Sequence, residues 1–165
     1  PYYRFMRLEP ATKLAVLDTM YDVHKTVFAA GYIAVDFYFG CIVYDFGSER
    51  VHFCDFDEYR PGPFTLTDDR LPGSRSLMAP EEFVKGSSID QTTNVFTLGR
   101  IALVMLCGEE RAVCWTAKRD RAHWQGAPAA VRCGPQGDRG GQILALSFFR
   151  RVFRRLERGR AWVVG

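Results

Sequence analysis

The most constraining feature of the sequence is an apolar stretch at residues 94–107, which reads NVFTLGRIALVMLC. It is shorter than the roughly 18 apolar residues of a membrane-spanning helix, and its composition predicts a largely buried helix of a protein core. Gly99 lies in its interior, at a cost of about 1 kcal/mol relative to alanine. A chain of 165 residues is long enough for one domain with such a core and too short for two comfortable ones.

Periodicity and turn residues predict the other elements. An amphipathic helix of about five turns is expected over residues 10–30, where apolar residues recur at helical spacing. Gly31 is its predicted stop. The predicted β segments are Tyr32–Val35, which ends at Asp36, and a hairpin of Cys41–Phe46 and Val51–Cys54 joined through Gly47 and Ser48.

The rest of the chain gives weaker signals. Residues 58–76 lack periodicity and predict a long loop, and Pro80 suits the start of a short helix at residues 81–83. Beyond residue 107, short helices are expected around Trp115 and Trp124, and a last helix over Gln142–Arg158.

Cysteine use and charge restrict the class of protein. The five cysteines are widely spaced and form no C-x-x-C pair, which favours reduced thiols in a cytoplasmic protein over a metal site. No signal peptide or membrane segment is recognisable. The net charge is +3, and residues 150–160 hold six arginines against one acid. We interpret this block as the solvated face of a terminal helix, so neither a membrane nor a nucleic-acid partner is expected.

Three motifs occur in a fixed order along the chain. Asp36 lies in a loop after the long helix, and Asp55 follows the hairpin 19 residues later, in CDFDEYR. Ala79-Pro80-Glu81 comes next, and the buried helix follows it. Acids in a turn are common, so Asp55 alone would carry little weight.

Together these segments resemble the carboxy-terminal lobe of the protein kinase-like superfamily, in particular compact bacterial serine/threonine kinase-like proteins. Those proteins share stretches close to GYIAVDFY, CDFDEYR, APEEF and TNVFTLG. The resemblance is clear over about residues 5–107 and loose over residues 108–165. It implies one mainly helical α+β lobe over residues 1–165, with a small β-hairpin sheet at the catalytic cleft and no amino-terminal lobe.

The resemblance implies a role for each matching acid. Asp36 stands where the catalytic-loop aspartate accepts or orients the hydroxyl proton of the substrate. Asp55 stands at the position that binds Mg²⁺ and, through it, the phosphates of ATP. Glu81 stands where an acid ties the activation segment to the lobe. The implied reaction is transfer of phosphate from ATP to a hydroxyl of a protein or a small molecule.

Several positions depart from the kinase pattern. The His-Arg pair that usually precedes the catalytic aspartate is Ala34-Val35 here, which removes the usual partner of a phosphorylated activation loop. Cys41 occupies the cofactor-binding position of a second Mg²⁺ ligand, although a thiol is a poor ligand for this ion. Asp57 replaces the glycine of D-F-G. In a strand it would share a face with Asp55 and add a metal ligand, whereas in a turn it would cap the backbone.

The upstream half of a kinase is not recognisable in the sequence. No glycine-rich phosphate loop and no lysine-bearing strand precede Gly31, and the chain begins at Pro1 instead of methionine. We therefore expect a catalytic-lobe fragment that needs a missing amino-terminal segment as its partner. The alternatives are a pseudokinase or binding scaffold, favoured by Cys41, and a small-molecule kinase of the aminoglycoside or choline type, favoured by Asp57.

Overall fold

The computed structural model describes residues 2–108. Residues 2–102 belong to one compact unit. The helices and strands of the described part are α1 (Tyr2–Met6), α2 (Pro10–Ala29), β1 (Tyr32–Ile33), β2 (Ile42–Asp45), β3 (Arg50–Phe53), β4 (Arg60–Pro61), β5 (Phe64–Thr65), β6 (Ser88–Ile89) and α3 (Gln91–Cys107). Short 3-10 helices cover Phe39–Cys41 and Pro80–Phe83. This is a small α+β arrangement, as expected.

Helix α2 has the predicted boundaries. Pro10 occupies its first turn, where a missing backbone N–H costs nothing. Gly31 follows the helix with a φ of 79°, a conformation that glycine adopts without steric penalty. The helix buries Leu17 and Met20 completely.

The described strands form three small antiparallel sheets. Strand β2 pairs with β3 as the predicted hairpin, with Ile42 opposite Phe53 and Asp45 opposite Arg50. Strand β1 pairs with β4, and β5 pairs with β6. The last two sheets join segments that are far apart in the sequence, so they fix the path of the loops between them.

The prediction of a long loop over residues 58–76 was too simple. Strands β4 and β5 lie inside it, although each has only two residues. A strand of two residues is too short to show an alternation of polar and apolar side chains. Its stability comes from pairing with a distant segment. Leu66 and Leu71 of the same segment are buried in a cluster with Ile33, Val35, Met78 and Ile89.

Helix α3 begins three residues before the predicted start. Asp90 precedes it, and its Oδ1 accepts a hydrogen bond of 2.7 Å from the backbone N–H of Thr92. This contact satisfies one of the free N–H groups of the first turn. Leu98 and Ile101 are buried, in agreement with the prediction of a buried helix.

The predicted elements around Trp115 and Trp124, the helix over Gln142–Arg158 and the arginine-rich block lie outside the described residues. Within residues 2–108, no helix is long and apolar enough to cross a membrane.

Candidate active site

Asp36 and Asp55 lie on two neighbouring loops that leave short strands. Asp36 follows β1 and has a φ of 57°, and Asp55 follows β3 and has a φ of 64°. Left-handed backbone is uncommon outside glycine, and aspartate is among the residues that tolerate it best. Each loop therefore turns sharply at its acid.

The side chain of Asn94 on α3 binds the backbone of the loop that carries Asp36. Its side-chain oxygen accepts a hydrogen bond of 2.8 Å from the backbone N–H of Ala34, and its Nδ2 donates to the carbonyl oxygen of the same residue. Both partners are buried. The amide thus satisfies a donor and an acceptor that otherwise have no water to bind.

Cys41 connects the two loops through two hydrogen bonds, one from its backbone and one from its side chain. Its carbonyl oxygen accepts a bond of 3.0 Å from the backbone N–H of Cys54, which directly precedes Asp55. Its thiol donates to the carbonyl oxygen of Asp36 at 3.7 Å. Burial raises the pKa of this thiol to about 11, so it remains protonated at neutral pH. A neutral thiol with this contact does not fit a magnesium ion.

The charges of the two loops interact. The pKa of Asp36 is raised, first by its burial and then by the negative charges of Asp55 and Glu58. A carboxylate with a raised pKa holds a proton more firmly, which suits a group that accepts one during a reaction. Asp55, in contrast, is exposed.

Asp57 lies in a turn and not in a strand. The backbone N–H of Tyr59 donates to the carbonyl oxygen of Phe56 at 3.0 Å, which closes this turn around Asp57. The strand geometry that would place Asp57 on the same face as Asp55 is therefore replaced by the turn considered as the alternative. Asp57 is exposed, and the neighbouring Glu58 forms a surface ion pair of 3.1 Å with Arg60.

The described acids fit Mg²⁺ only as a partial ligand set. No group of three or more His, Cys, Asp or Glu side chains within residues 2–108 is arranged to hold a metal ion. Mg²⁺ is usually bound in proteins by one or two carboxylates, with water and substrate phosphate completing its shell. The exposed carboxylates of Asp55 and Asp57 are suitable oxygen ligands of this kind, whereas a closed protein cage is not present in the described part.

A small cleft lies beside Asp36, and its free volume of about 10 Å³ is roughly that needed to hold one water molecule. Gly73, Ser74 and Glu82 contribute to its wall. Gly73 has a φ of 144°, and a Cβ atom there would lie 3.1 Å from the sulfur of Met78 and 3.6 Å from Oδ1 of Asp36. A side chain at this position would therefore crowd the cleft as well as strain the backbone.

Side chains of α3 bind the segment of residues 76–81 at two places. Oε1 of Glu81 accepts a hydrogen bond of 2.9 Å from Oγ1 of Thr93. Arg100 donates through Nε and one terminal nitrogen to the carbonyl oxygen of Ser76, at 3.0 and 2.9 Å. The sequence pattern singled out Glu81 for such a structural role, but it gave no signal for Arg100.

Glu82 is a buried carboxyl group that the sequence pattern did not single out. It accepts a hydrogen bond from the backbone N–H of Ala79. Burial raises its pKa from 4.5 to about 7, against the opposing effect of that hydrogen bond. In the sequence, an acid two residues after Pro80 suggests only that it caps a helix. The structure shows in addition that the carboxyl group of Glu82 is buried.

We expect Glu82→Gln to flatten the pH dependence of stability. Between pH 4.5 and about 7 the unfolded chain releases the Glu82 proton while the folded chain retains it. The free energy of unfolding is therefore highest, as far as this group is concerned, below pH 4.5. It falls as pH rises from 4.5 through about 7. A glutamine avoids this loss, so the variant should exceed the wild type in stability by about 2 kcal/mol at pH 8.

Urea unfolding at pH 5 and pH 8 measures this difference. Glu49→Gln is the matched control, because Glu49 is exposed. An equal pH dependence in wild type and Glu82→Gln would contradict the expectation.

No family model matches the chain, and no curated protein matches it. Among solved structures, the chain is similar to the Cydia pomonella granulovirus kinase PK-1, with a TM-score of 0.55 and 17% sequence identity. The chain has a kinase-like fold. The match covers 62% of this chain and 37% of the viral chain, so this chain spans well under half of the length of that kinase.

Proposed function

We propose that the chain is the catalytic lobe of a phosphotransferase that moves phosphate from ATP to serine or threonine hydroxyls of a protein. The observation that carries this proposal is the pairing of Asp36 and Asp55 within a kinase-like fold. Both acids lie at sharp turns of loops that are joined through Cys41, and the charge of Asp55 raises the pKa of Asp36.

Each acid has a separate task in this proposal. Asp36 accepts or orients the proton of the substrate hydroxyl, and its raised pKa favours that task. Asp55 holds Mg²⁺, and water and the phosphates of ATP complete the shell of the ion. When bound, Mg²⁺ supplies positive charge that offsets the charge developing on the transferred phosphate. The cleft beside Asp36 receives the substrate hydroxyl.

A further segment completes the nucleotide site. The described residues provide carboxylates but no glycine-rich loop, and the viral kinase is much longer than the matched region. We propose that an amino-terminal lobe supplies the phosphate loop and a lysine. The isolated chain is then expected to be inactive.

A scaffold without phosphotransfer is the second candidate. It is favoured by Cys41, whose thiol faces the carbonyl oxygen of Asp36 and is no ligand for a second Mg²⁺. In that case the fold is retained for binding, and Asp36 has no proton to accept.

Asp55→Asn tests the proposal against this alternative. We expect the full-length protein to transfer the γ-phosphate of ATP to a protein substrate in the presence of Mg²⁺. The variant should need roughly ten-fold more Mg²⁺, or lose activity, because an amide replaces the charged ligand.

Transfer of labelled phosphate across a Mg²⁺ titration provides the measurement. Asp68→Asn is the control, since Asp68 is an exposed acid in the segment that follows β5. Wild-type protein that transfers no phosphate to any protein would support the scaffold instead.

A further inference from the structure

His24 is a fully buried polar side chain on α2 that the proposed reaction does not use. Its Nδ1 lies 2.8 Å from the carbonyl oxygen of Met20. A carbonyl oxygen only accepts hydrogen bonds, so Nδ1 carries the hydrogen. Nε2 is then an acceptor, and it lies 2.8 Å from the hydroxyl of Tyr59, which donates to it. The two contacts define one tautomer of a neutral ring.

The His24 ring touches the loop of Asp36. Phe37 directly follows Asp36 and is buried, and its ring packs edge-on against His24 with centroids 4.4 Å apart. A shift of the imidazole would therefore move the residue next to the proposed base.

The hydroxyl of Tyr59 links the loop of Asp55 to the same imidazole. The ring of Tyr59 packs against Phe56, with centroids 5.0 Å apart and an angle of 71° between the planes. Phe56 directly follows Asp55. His24 thus contacts Phe37 directly and reaches Phe56 through Tyr59, and these two residues each follow one of the two acids.

Simple packing does not require this polar pair. A leucine or phenylalanine at position 24 would fill the same space without the cost of burying polar atoms. The hydrogen bond between His24 and Tyr59 adds a directional restraint between residues 35 positions apart in the sequence. Burial lowers the pKa of His24, so its ring stays neutral, and the Nδ1–H that donates to Met20 leaves Nε2 as the acceptor of the bond from Tyr59.

We propose that His24 and Tyr59 are positioning residues whose hydrogen bond sets the Asp55 loop at a fixed place relative to Asp36. This inference rests on the proposed function, because it assigns the pair to the same metal and substrate site. His24 acts through Phe37 and Tyr59, and neither member of the pair touches a reacting atom.

Tyr59→Phe is the sharpest test, because it removes the hydroxyl and keeps the ring against Phe56. In the full-length protein we expect weaker binding of Mn²⁺, used as a magnetic probe of the Mg²⁺ site, by about ten-fold. We also expect the kcat of phosphate transfer to fall. Tyr32→Phe is the control, since Tyr32 is an exposed tyrosine on β1.

Three readouts separate positioning from a general structural effect. Nitrogen NMR should show the Nδ1–H tautomer of His24 in the wild type and a shift of Nε2 in Tyr59→Phe. Electron paramagnetic resonance measures Mn²⁺ affinity. A His24→Leu and Tyr59→Phe double-mutant cycle should be non-additive in that affinity, because both changes remove the same bond.

The outcomes distinguish this inference from the proposed function. Unchanged Mn²⁺ affinity and kcat in Tyr59→Phe, with the NMR shift present, would leave the pair a purely structural role. An Nε2–H tautomer in the wild type would also overturn it. If Tyr59→Phe weakens Mn²⁺ binding while the wild type transfers no phosphate, positioning stands and the phosphotransferase proposal fails. If the wild type binds no Mn²⁺, both fail.

Discussion

Asp36→Asn is expected to lower the kcat of phosphate transfer by about 10²- to 10⁴-fold, the range typical of lost general-base catalysis. The amide has the size of the carboxylate but cannot accept a proton. The backbone of the loop should be preserved, because asparagine also tolerates the left-handed conformation that Asp36 adopts at a φ of 57°. The effect should therefore appear in kcat more than in KM for ATP.

The pH profile provides an independent check of the same assignment. Wild-type kcat should rise with pH through the raised pKa of Asp36, since only its charged form accepts a proton. Glu58→Gln should move this rise to lower pH, because the negative charge of Glu58 contributes to the raised pKa. Asp69→Asn is the matched control at an exposed acid. A kcat of Asp36→Asn within about three-fold of the wild type would rule out the proposed base.

Asn94→Ala should destabilise the fold by about 3 kcal/mol, because it leaves two buried backbone groups of Ala34 without partners. Each unsatisfied group costs about 1–3 kcal/mol, and the better helix propensity of alanine offsets only about 0.5 kcal/mol. Asp36 lies two residues after Ala34 in the same loop, so activity should fall together with stability.

Urea unfolding measures this change as a lower midpoint at unchanged slope. Gln91→Ala is the control, since Gln91 lies exposed in the first turn of the same helix. Asn94→Asp keeps the acceptor for the N–H of Ala34 but turns a donor into a charge facing its carbonyl oxygen, so it should rescue part of the loss at most. A loss below about 0.5 kcal/mol in Asn94→Ala would show that the two bonds contribute little.

The sequence was informative wherever a local pattern determines structure. Helix α2 and the hairpin of β2 and β3 were predicted because periodicity, Gly31 and turn residues act over a few neighbouring positions. The buried helix α3 was predicted for the same reason, although its start was not. Asp90 caps the first turn, and a cap lies outside the apolar pattern that it serves.

The parts that were not predicted depend on distant pairing. Strands β4 and β5 exist because they pair with β1 and β6, and two residues are too few to leave a pattern of their own. His24 fitted the apolar stripe of α2, and no local signal showed that Tyr59, 35 residues away, would bind its ring.

In the candidate site, too, some features were anticipated from the sequence and others were not. The kinase-like fold was anticipated from the resemblance of several sequence segments to kinase-like proteins, and the structural similarity to a viral kinase agrees with it. The roles of Asp36, Asp55, Asp57 and Cys41 remain predictions. The buried state of Glu82 could not be read from the sequence, because burial of one carboxyl group depends on which segments close over it.

The two hydrogen bonds between Ala34 and Asn94 have a consequence for how the protein is made. They join residues 60 positions apart, and ribosomes add about 5–20 residues per second. The segment leading to Asp36 therefore waits for about 3–12 seconds before its partner is synthesised. Helix α2 and the β2–β3 hairpin need only near neighbours and can form during that interval. Asp36 thus acquires its native surroundings only after the start of α3 has been translated.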